Sequence, residues 1–175
     1  MKLLREITPE DLGLKADNKV NFVPREATRA IVFNEDGLIA LLYVSKNSYH
    51  KIPGGGIEQG EDRMMSLERE IIEEVGAKIE VSGEVGEIYE KRIYEDGRGT
   101  AQKSYCYLAN VVGEIAEPSF TEKELKNGFK VVWVPLDEAI ELLASDRPQT
   151  QSGRFIQIRD LTFLKEASAI RSKSD

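Results

Sequence analysis

The spacing of apolar positions changes period several times along the chain, and each change predicts an element. Thr28 to Phe33 (TRAIVF) and Leu38 to Val44 (LIALLYV) are short, mostly apolar runs that read as strands. Between them Asn34 to Gly37 (NEDG) has turn chemistry, so the three pieces predict a buried hairpin. Ser45 to Gly56 carries a proline and three consecutive glycines. That composition forbids helix and lets the backbone approach a ligand closely. From about Glu61 to Val75 the period becomes helical: Met64, Leu67, Glu68, Ile71 and Val75 fall on one side at 100° per residue, and Gly76 follows as a stop.

Beyond the helix, Lys78 to Tyr94 and Gln102 to Val112 predict two longer strands joined by EDGRG, and Val131 to Val134 a short one that contains Trp133. Pro135 and Asp137 open a second helix, AIELLA, and Gln151 to Arg171 has helical spacing again, with SKSD as a tail. Sequential hairpins mixed with helices predict an α/β fold, a mixed β-sheet covered by helices on both faces. At 175 residues, with no repeat and no Ser- or Pro-rich linker, the expectation is a single domain over 1–175. Residues 1–25 are expected to form an N-terminal extension and 150–172 a C-terminal helix.

Charge narrows the chemistry. With 24 Lys and Arg against 31 Asp and Glu the net charge is −7, so the surface repels phosphate and duplex nucleic acid is a poor partner. A phosphorylated ligand would need a recruited cation, and a divalent metal supplies one. A single cysteine, Cys106, excludes an internal disulfide, and a single histidine, His50, excludes the multi-His sites that zinc prefers. The start MKLLREITPEDLGL has no apolar stretch of signal-peptide length and no run of 18 apolar residues occurs. The expectation is therefore a cytoplasmic protein with no membrane partner.

The informative stretch is GGGIEQGEDRMMSLEREIIEEVGA, Gly54 to Ala77. Glu70, Glu73 and Glu74 stand at i, i+3 and i+4, within an arc of about 100° beside the apolar stripe. Each like-charge pair at that spacing costs a few tenths of a kcal/mol, and no Lys or Arg of the helix lies between them in the arc. Mg²⁺ or Mn²⁺, hard cations that take oxygen ligands, would relieve the repulsion. Acidic clusters on helices are most often solvated faces. A solvated face explains neither the glycine-rich loop just before this one nor Arg69, four residues ahead of Glu73 and able to orient it.

This segment resembles the Nudix box, G-x5-E-x7-R-E-U-x-E-E-x-G-U with U a bulky apolar residue. Gly55, Glu61, Arg69, Glu70, Ile71, Glu73, Glu74 and Gly76 all match at the required spacing, and Ala77 departs where Ile, Leu or Val is usual. KIPGGGIE ahead of the box and WVPLDEAIELL near the end are similar to stretches at corresponding places in family members. The resemblance implies an α/β/α sandwich that hydrolyses a nucleoside diphosphate linked to a group X, with water attacking phosphorus. It implies that Glu70, Glu73 and Glu74 hold Mg²⁺ or Mn²⁺, that the Gly55 carbonyl adds a ligand, and that Arg69 and Glu61 orient the set. The general base is a box glutamate or one from a later loop, where Glu122 and Glu124 in FTEKELKNGF are the candidates, against a solvated turn.

Other residues read less sharply. His50 precedes the loop and is expected to be structural, and Cys106 in YCYL a buried small hydrophobe. Tyr49, Phe22 and Phe33 could stack on a base, with core packing the expectation for Phe33. Arg29 and Lys51 are phosphate contacts or surface charges. For the substrate, GEIYEKRIY lacks the proline of the ADP-ribose branch, SKNSYHKI does not resemble the coenzyme A signature, and the NADH motif is absent. Tyr94, 17 residues past Ala77, matches the tyrosine of dinucleoside polyphosphate hydrolases, although an aromatic residue in a strand is more often core. Nucleoside triphosphate pyrophosphohydrolase therefore ranks first, dinucleoside polyphosphate hydrolase second, and a non-catalytic nucleotide-binding module of the same fold third. The partner is a small-molecule nucleotide, and a homodimer is compatible with this reading.

Overall fold

The computed structural model describes residues 1–15, 19–94 and 96–173. Among them one mixed sheet is built from β1 (Leu3–Ile7), β2 (Phe22–Phe33), β3 (Ile39–Val44), β4 (Tyr49–Lys51), β5 (Lys78–Ile93), β6 (Gly99–Val112) and β7 (Phe129–Val134). Strand order is β1-β5-β6-β2-β3-β4, with β7 also on β3. β5 and β6 form a long antiparallel hairpin, and β1 and β2 join it in parallel on either side.

The helices are α1 (Arg63–Val75), α2 (Glu122–Lys126), α3 (Leu136–Ser145) and α4 (Gln151–Arg171). Alternation along β2 divides the core in two. Ala30 and Val32 meet Leu67, Ile71 and Val75 of α1, while Ile31 and Phe33 meet Phe155, Phe163 and Leu164 of α4 and Leu143 of α3. Burying each large aliphatic of α1 contributes about 1.5–3 kcal/mol. Asp62 caps α1 by accepting from Met64 N and Met65 N, and Gly76 ends it in the left-handed region at φ 73°.

One opening in this sheet positions everything that follows. β7 occupies one edge of β3 from Ile39 to Val44. On the other edge β2 pairs only at Phe33 with Ile39, and β4 pairs at Leu42 to Val44. β2 therefore diverges from β3 and β4, and the segment from Pro53 to Ile57 fills the gap. Ala30 N donates to Pro53 O at 3.2 Å, Thr28 N to Gly55 O at 2.9 Å and Ile57 N to Glu26 O at 3.1 Å.

Several elements differ from the sequence reading. The expected N-terminal extension supplies β1, whose Ile7 is fully buried in the α4-side core, and the first residues of β2. Within the expected loop from Ser45 to Gly56 the structure places β4, and FTEKELKNGF contains the short α2. Glu68, assigned to the buried stripe of α1, is exposed, and Ser66 and Glu74 are buried instead. Glu95 of EDGRG and the last two residues of the tail lie outside the described residues. Among the described residues no helix is long and apolar enough to cross a membrane.

Candidate active site

The gap-filling segment carries the glycines for steric reasons. At Gly54 φ is 128°, and a Cβ there would collide with the carbonyl oxygen of Thr28. At Gly55 a Cβ would overlap the carboxylate of Glu70. The backbone thus lies against β2 on one side and receives a helix carboxylate on the other.

The three helix glutamates have different surroundings. Glu74 is 2% exposed, with Oε2 accepting from Gly54 N at 2.6 Å and Oε1 from Lys51 Nζ at 2.9 Å. Burial pushes its carboxyl above the ordinary range, and Lys51 opposes the shift. Glu70 Oε1 accepts from Arg69 Nη1 at 2.9 Å. Glu73 is the most open, its side chain 37% exposed and 3.5 Å from the same guanidinium nitrogen.

Arg69 holds the box together, though not mainly through the residue expected. Its shortest contacts run to Glu61, Nε to Oε1 at 2.6 Å and Nη2 to Oε2 at 2.9 Å. Nη2 also donates to Gly56 O at 3.1 Å, so one guanidinium ties loop to helix. The hydrogen bond from Arg69, with one from Glu58 N, pulls the Glu61 carboxyl down to about 2. The view that the helix carboxylates lack a positive partner fails in three dimensions, because Lys51 arrives from β4 and Arg29 from β2.

Among the described residues seven charged side chains are buried, Arg29, Lys51, Glu74, Glu90, Arg92, Arg159 and Asp160. They form one connected set. Arg92 Nη2 lies 2.7 Å from Glu90 Oε1, Arg159 Nη1 lies 3.6 Å from Glu90 Oε2, and Arg159 Nε donates to Asp160 Oδ1 at 2.7 Å. Arg29 acts electrostatically on Asp160, Glu74 and Glu70 and extends the set to the box. Burial alone would raise Glu90, but Arg92 and Arg159 outweigh it and hold the carboxyl low. Four cations face three carboxylates, so one positive charge is in excess. It is felt at Arg29, which burial and the like charge of Arg159 push down to about 10 and whose Nε has no hydrogen-bond partner.

The remaining candidates land elsewhere. His50 is clamped to Asp146, its amide donating to Oδ2 at 2.6 Å and its ring Nδ1 lying 3.1 Å from Oδ1. Cys106 is buried and free. Tyr49 and Phe33 are core residues, and Phe22 is half-buried under Lys91. Tyr94, read as a strand residue, lies just past β5, half-buried, where its backbone closes the β5–β6 turn with Arg98 and Gly97. Glu122 is exposed and paired with Lys126, and Glu124 caps α2 by accepting from Thr121 N at 2.8 Å. A backbone bond from Ser119 N to Glu73 O brings their segment alongside α1. A hollow of about 770 Å³ lined by Asn34, Glu35, Asp36, Val111 and Glu114 has no basic side chain to receive phosphate.

Sequence reasoning missed Asp160 and the Glu90, Arg92 and Gln102 cluster. Asp160 accepts from Ile52 N at 3.0 Å, two residues before Gly54, and so anchors the start of the loop to α4. Glu90 and Arg92 follow Ile88 at every second residue of β5, and period two puts all three on the buried face, a signal present in the sequence.

The donors suit a hard cation. Glu70, Glu73, Glu74 and the Gly55 carbonyl offer oxygen alone, and the Glu70 carboxylate rests against the Gly55 backbone. Among the described residues no three acidic, histidine or cysteine side chains are gathered as a ready-made cage. Glu74 is engaged by Lys51 instead.

A mixed sheet between helical layers, opened to admit a glycine segment against a glutamate helix, defines the class. Residues 23–153 match the NUDIX domain family model, and the chain belongs to the Nudix family. It is 28% identical over 127 residues to a diphosphoinositol polyphosphate phosphohydrolase of Homo sapiens, covering 71% of this chain and 65% of that protein. It is 26% identical to diphosphoinositol polyphosphate phosphohydrolase 3-alpha of Homo sapiens, covering 71% and 72%. The chain thus spans about two thirds of these relatives' length. Among solved structures, the ORF135 protein of E. coli superposes with a TM-score of 0.57 at 20% identity, over 87% of this chain and 94% of that one. The MutT protein of Methanosarcina mazei gives 0.55 at 19%, over 85% and 99%. These likenesses establish the fold.

Proposed function

We propose that the protein is a metal-dependent pyrophosphohydrolase of nucleoside diphosphates linked to X, with a nucleoside triphosphate as first-ranked substrate, acting in the cytoplasm. One observation carries this reading: the carboxylate face of α1 lies beside a buried cluster with one cation in excess, in which Arg29 Nε and Arg159 Nη2 both lack a hydrogen-bond partner and Arg29 alone has no ion-paired carboxylate of its own. A buried cation whose nearby carboxylates, Glu74 and Asp160, are already paired with Lys51 and Arg159 is costly, and a substrate phosphate is the anion that this reaction brings.

A divalent cation held by Glu70, Glu73 and Glu74 with the Gly55 carbonyl would neutralise phosphate charge and lower the pKa of bound water. Arg29 takes the phosphate charge from the β2 side. Arg69 and Glu61 keep Glu70 and the loop in one arrangement. Glu73, the box carboxylate least committed to partners, takes the proton of the attacking water. Glu122 and Glu124 are the secondary candidates, with Glu124 already engaged in its helix cap.

The sequence relatives favour a diphosphorylated inositol polyphosphate as the second substrate, ahead of a dinucleoside polyphosphate, which rested on Tyr94 at the hairpin turn. The test is a panel of nucleoside triphosphates, diadenosine tetraphosphate and a diphosphoinositol polyphosphate with Mg²⁺ or Mn²⁺, with products read by mass. Pyrophosphate release from a triphosphate supports the first reading, and selective loss of one phosphate from the inositol compound the second. Nucleotide binding without cleavage would leave a binding module.

A further inference from the structure

We infer that Lys51 is an exchangeable counter-ion of Glu74, one that would pass to a substrate phosphate where a divalent cation takes that carboxylate. This rests on the metal-dependent reading above. Each Glu74 oxygen has one partner, and the two differ in kind. Gly54 N is backbone fixed in the gap of the sheet, whereas Lys51 Nζ ends a flexible four-carbon chain and carries a point charge that needs no fork geometry. At 2% exposure an ionised Glu74 with no cation on its free side is costly, and that place can be filled by Lys51 or by a metal.

Lys51 also has somewhere else to go. It stands at the end of β4, and its ammonium already lies 5.1 Å from the ring centroid of Phe129, a second favourable surface for a cation. Its release adds to a balance that is already positive. With Glu74 taken by a metal, Lys51 and Arg29 both become free to meet an anion, so metal binding prepares the phosphate site. The order of events is then metal first, phosphate second.

Two measurements test this without following turnover. Mn²⁺ affinity by calorimetry, at one pH, compares wild type with Lys51→Met and Lys51→Arg. Lys51→Met should bind Mn²⁺ about tenfold or more tightly, because the competing cation is gone, and the metal-loaded variant should bind inorganic pyrophosphate more weakly than wild type. Lys51→Arg, which keeps a cation at Glu74, should not tighten Mn²⁺ binding. A lowered melting temperature in Lys51→Met with unchanged or weaker Mn²⁺ binding would make the pair permanent scaffolding and overturn the inference. The second measurement needs no variant: amine labelling of the wild-type chain read by mass spectrometry should find Lys51 protected without metal and modified with Mg²⁺. Equal protection in both states overturns the exchange. Wild type that binds no Mn²⁺ at all would instead overturn the metal-dependent reading, and the exchange with it.

Discussion

Gly55 and Glu70 share one space: the Glu70 carboxylate lies where the side chain of any other residue at position 55 would begin. The obstacle is the far end of a flexible side chain, so Gly55→Ala should fold with stability changed by no more than about 1 kcal/mol while displacing Glu70. The turnover number should fall by about 10²-fold. Gly54→Ala meets backbone at Thr28 and a φ of 128°, and should lose several kcal/mol, roughly 3 or more, in the folded state. Melting curves and kcat for the two variants separate these effects, and equal loss of stability in both would contradict the assignment.

Glu73 is the box glutamate with the weakest ties. Glu73→Gln removes one unit of charge with little change of shape, so the melting temperature should hold or rise slightly as repulsion with its neighbours eases. kcat should fall by at least about 10²-fold, and activity should vanish for wild type and variant alike in excess EDTA. Turnover that survives EDTA, or a fully active variant, would show the glutamate face to be a solvated surface.

Arg29→Met should separate stability from binding. It leaves three buried cations against three carboxylates, so the melting temperature should stay level or rise, since an uncompensated buried charge has been removed. The cost should fall on KM for the nucleotide, raised by about tenfold or more, through the loss of a charge-assisted contact to phosphate. A variant that melts lower and keeps its KM would mean that Arg29 is balanced within the cluster after all.

The pH dependence of stability should show the Arg69–Glu61 pair. The Glu61 carboxyl lies near 2 in the folded protein against 4.5 as its ordinary value. A lowered folded pKa contributes stability that is fully present above the unfolded value and is lost as pH falls from about 4.5 towards 2. Glu61→Gln should therefore melt below wild type at pH 6, and the gap should close across that window. A gap that is independent of pH would assign the loss to packing.

How far the sequence could be read depended on how local each cause was. α1 is written in its own residues, with Asp62 and Gly76 at its ends and Leu67, Ile71 and Val75 along one side. The spacing also put Glu70, Glu73 and Glu74 on one arc of the helix, but their carboxylates take different partners and, among the described residues, are not gathered as a cage. β1 was not legible, because five residues acquire strand character by pairing with β5, some eighty residues away. Lys51 and Arg29 could not be matched to Glu74 from spacing, since three elements meet there only after β2 and β3 diverge. The error over Glu68 has the same origin: Ser66 is drawn inward by Thr28 Oγ1 and by Gly56 O, and Glu74 by Lys51, partners that a single-helix periodicity does not contain. Tyr94 carried a strand residue's expectation into a turn.

Because Pro53 to Ile57 is hydrogen-bonded into the opening beside β2, this segment has a register, as a strand does. Its length is consequently fixed in a way that a surface loop's is not. One residue inserted between Pro53 and Gly56 would slide Gly55 off Glu70, move Gly54 N away from Glu74 and shift the start of α1, all at once. The turn around Asp96 to Arg98, which joins β5 to β6 at the far end of their hairpin, carries no such constraint on the box. Variation in length among chains of this kind should therefore collect at that turn and stay out of the glycine segment.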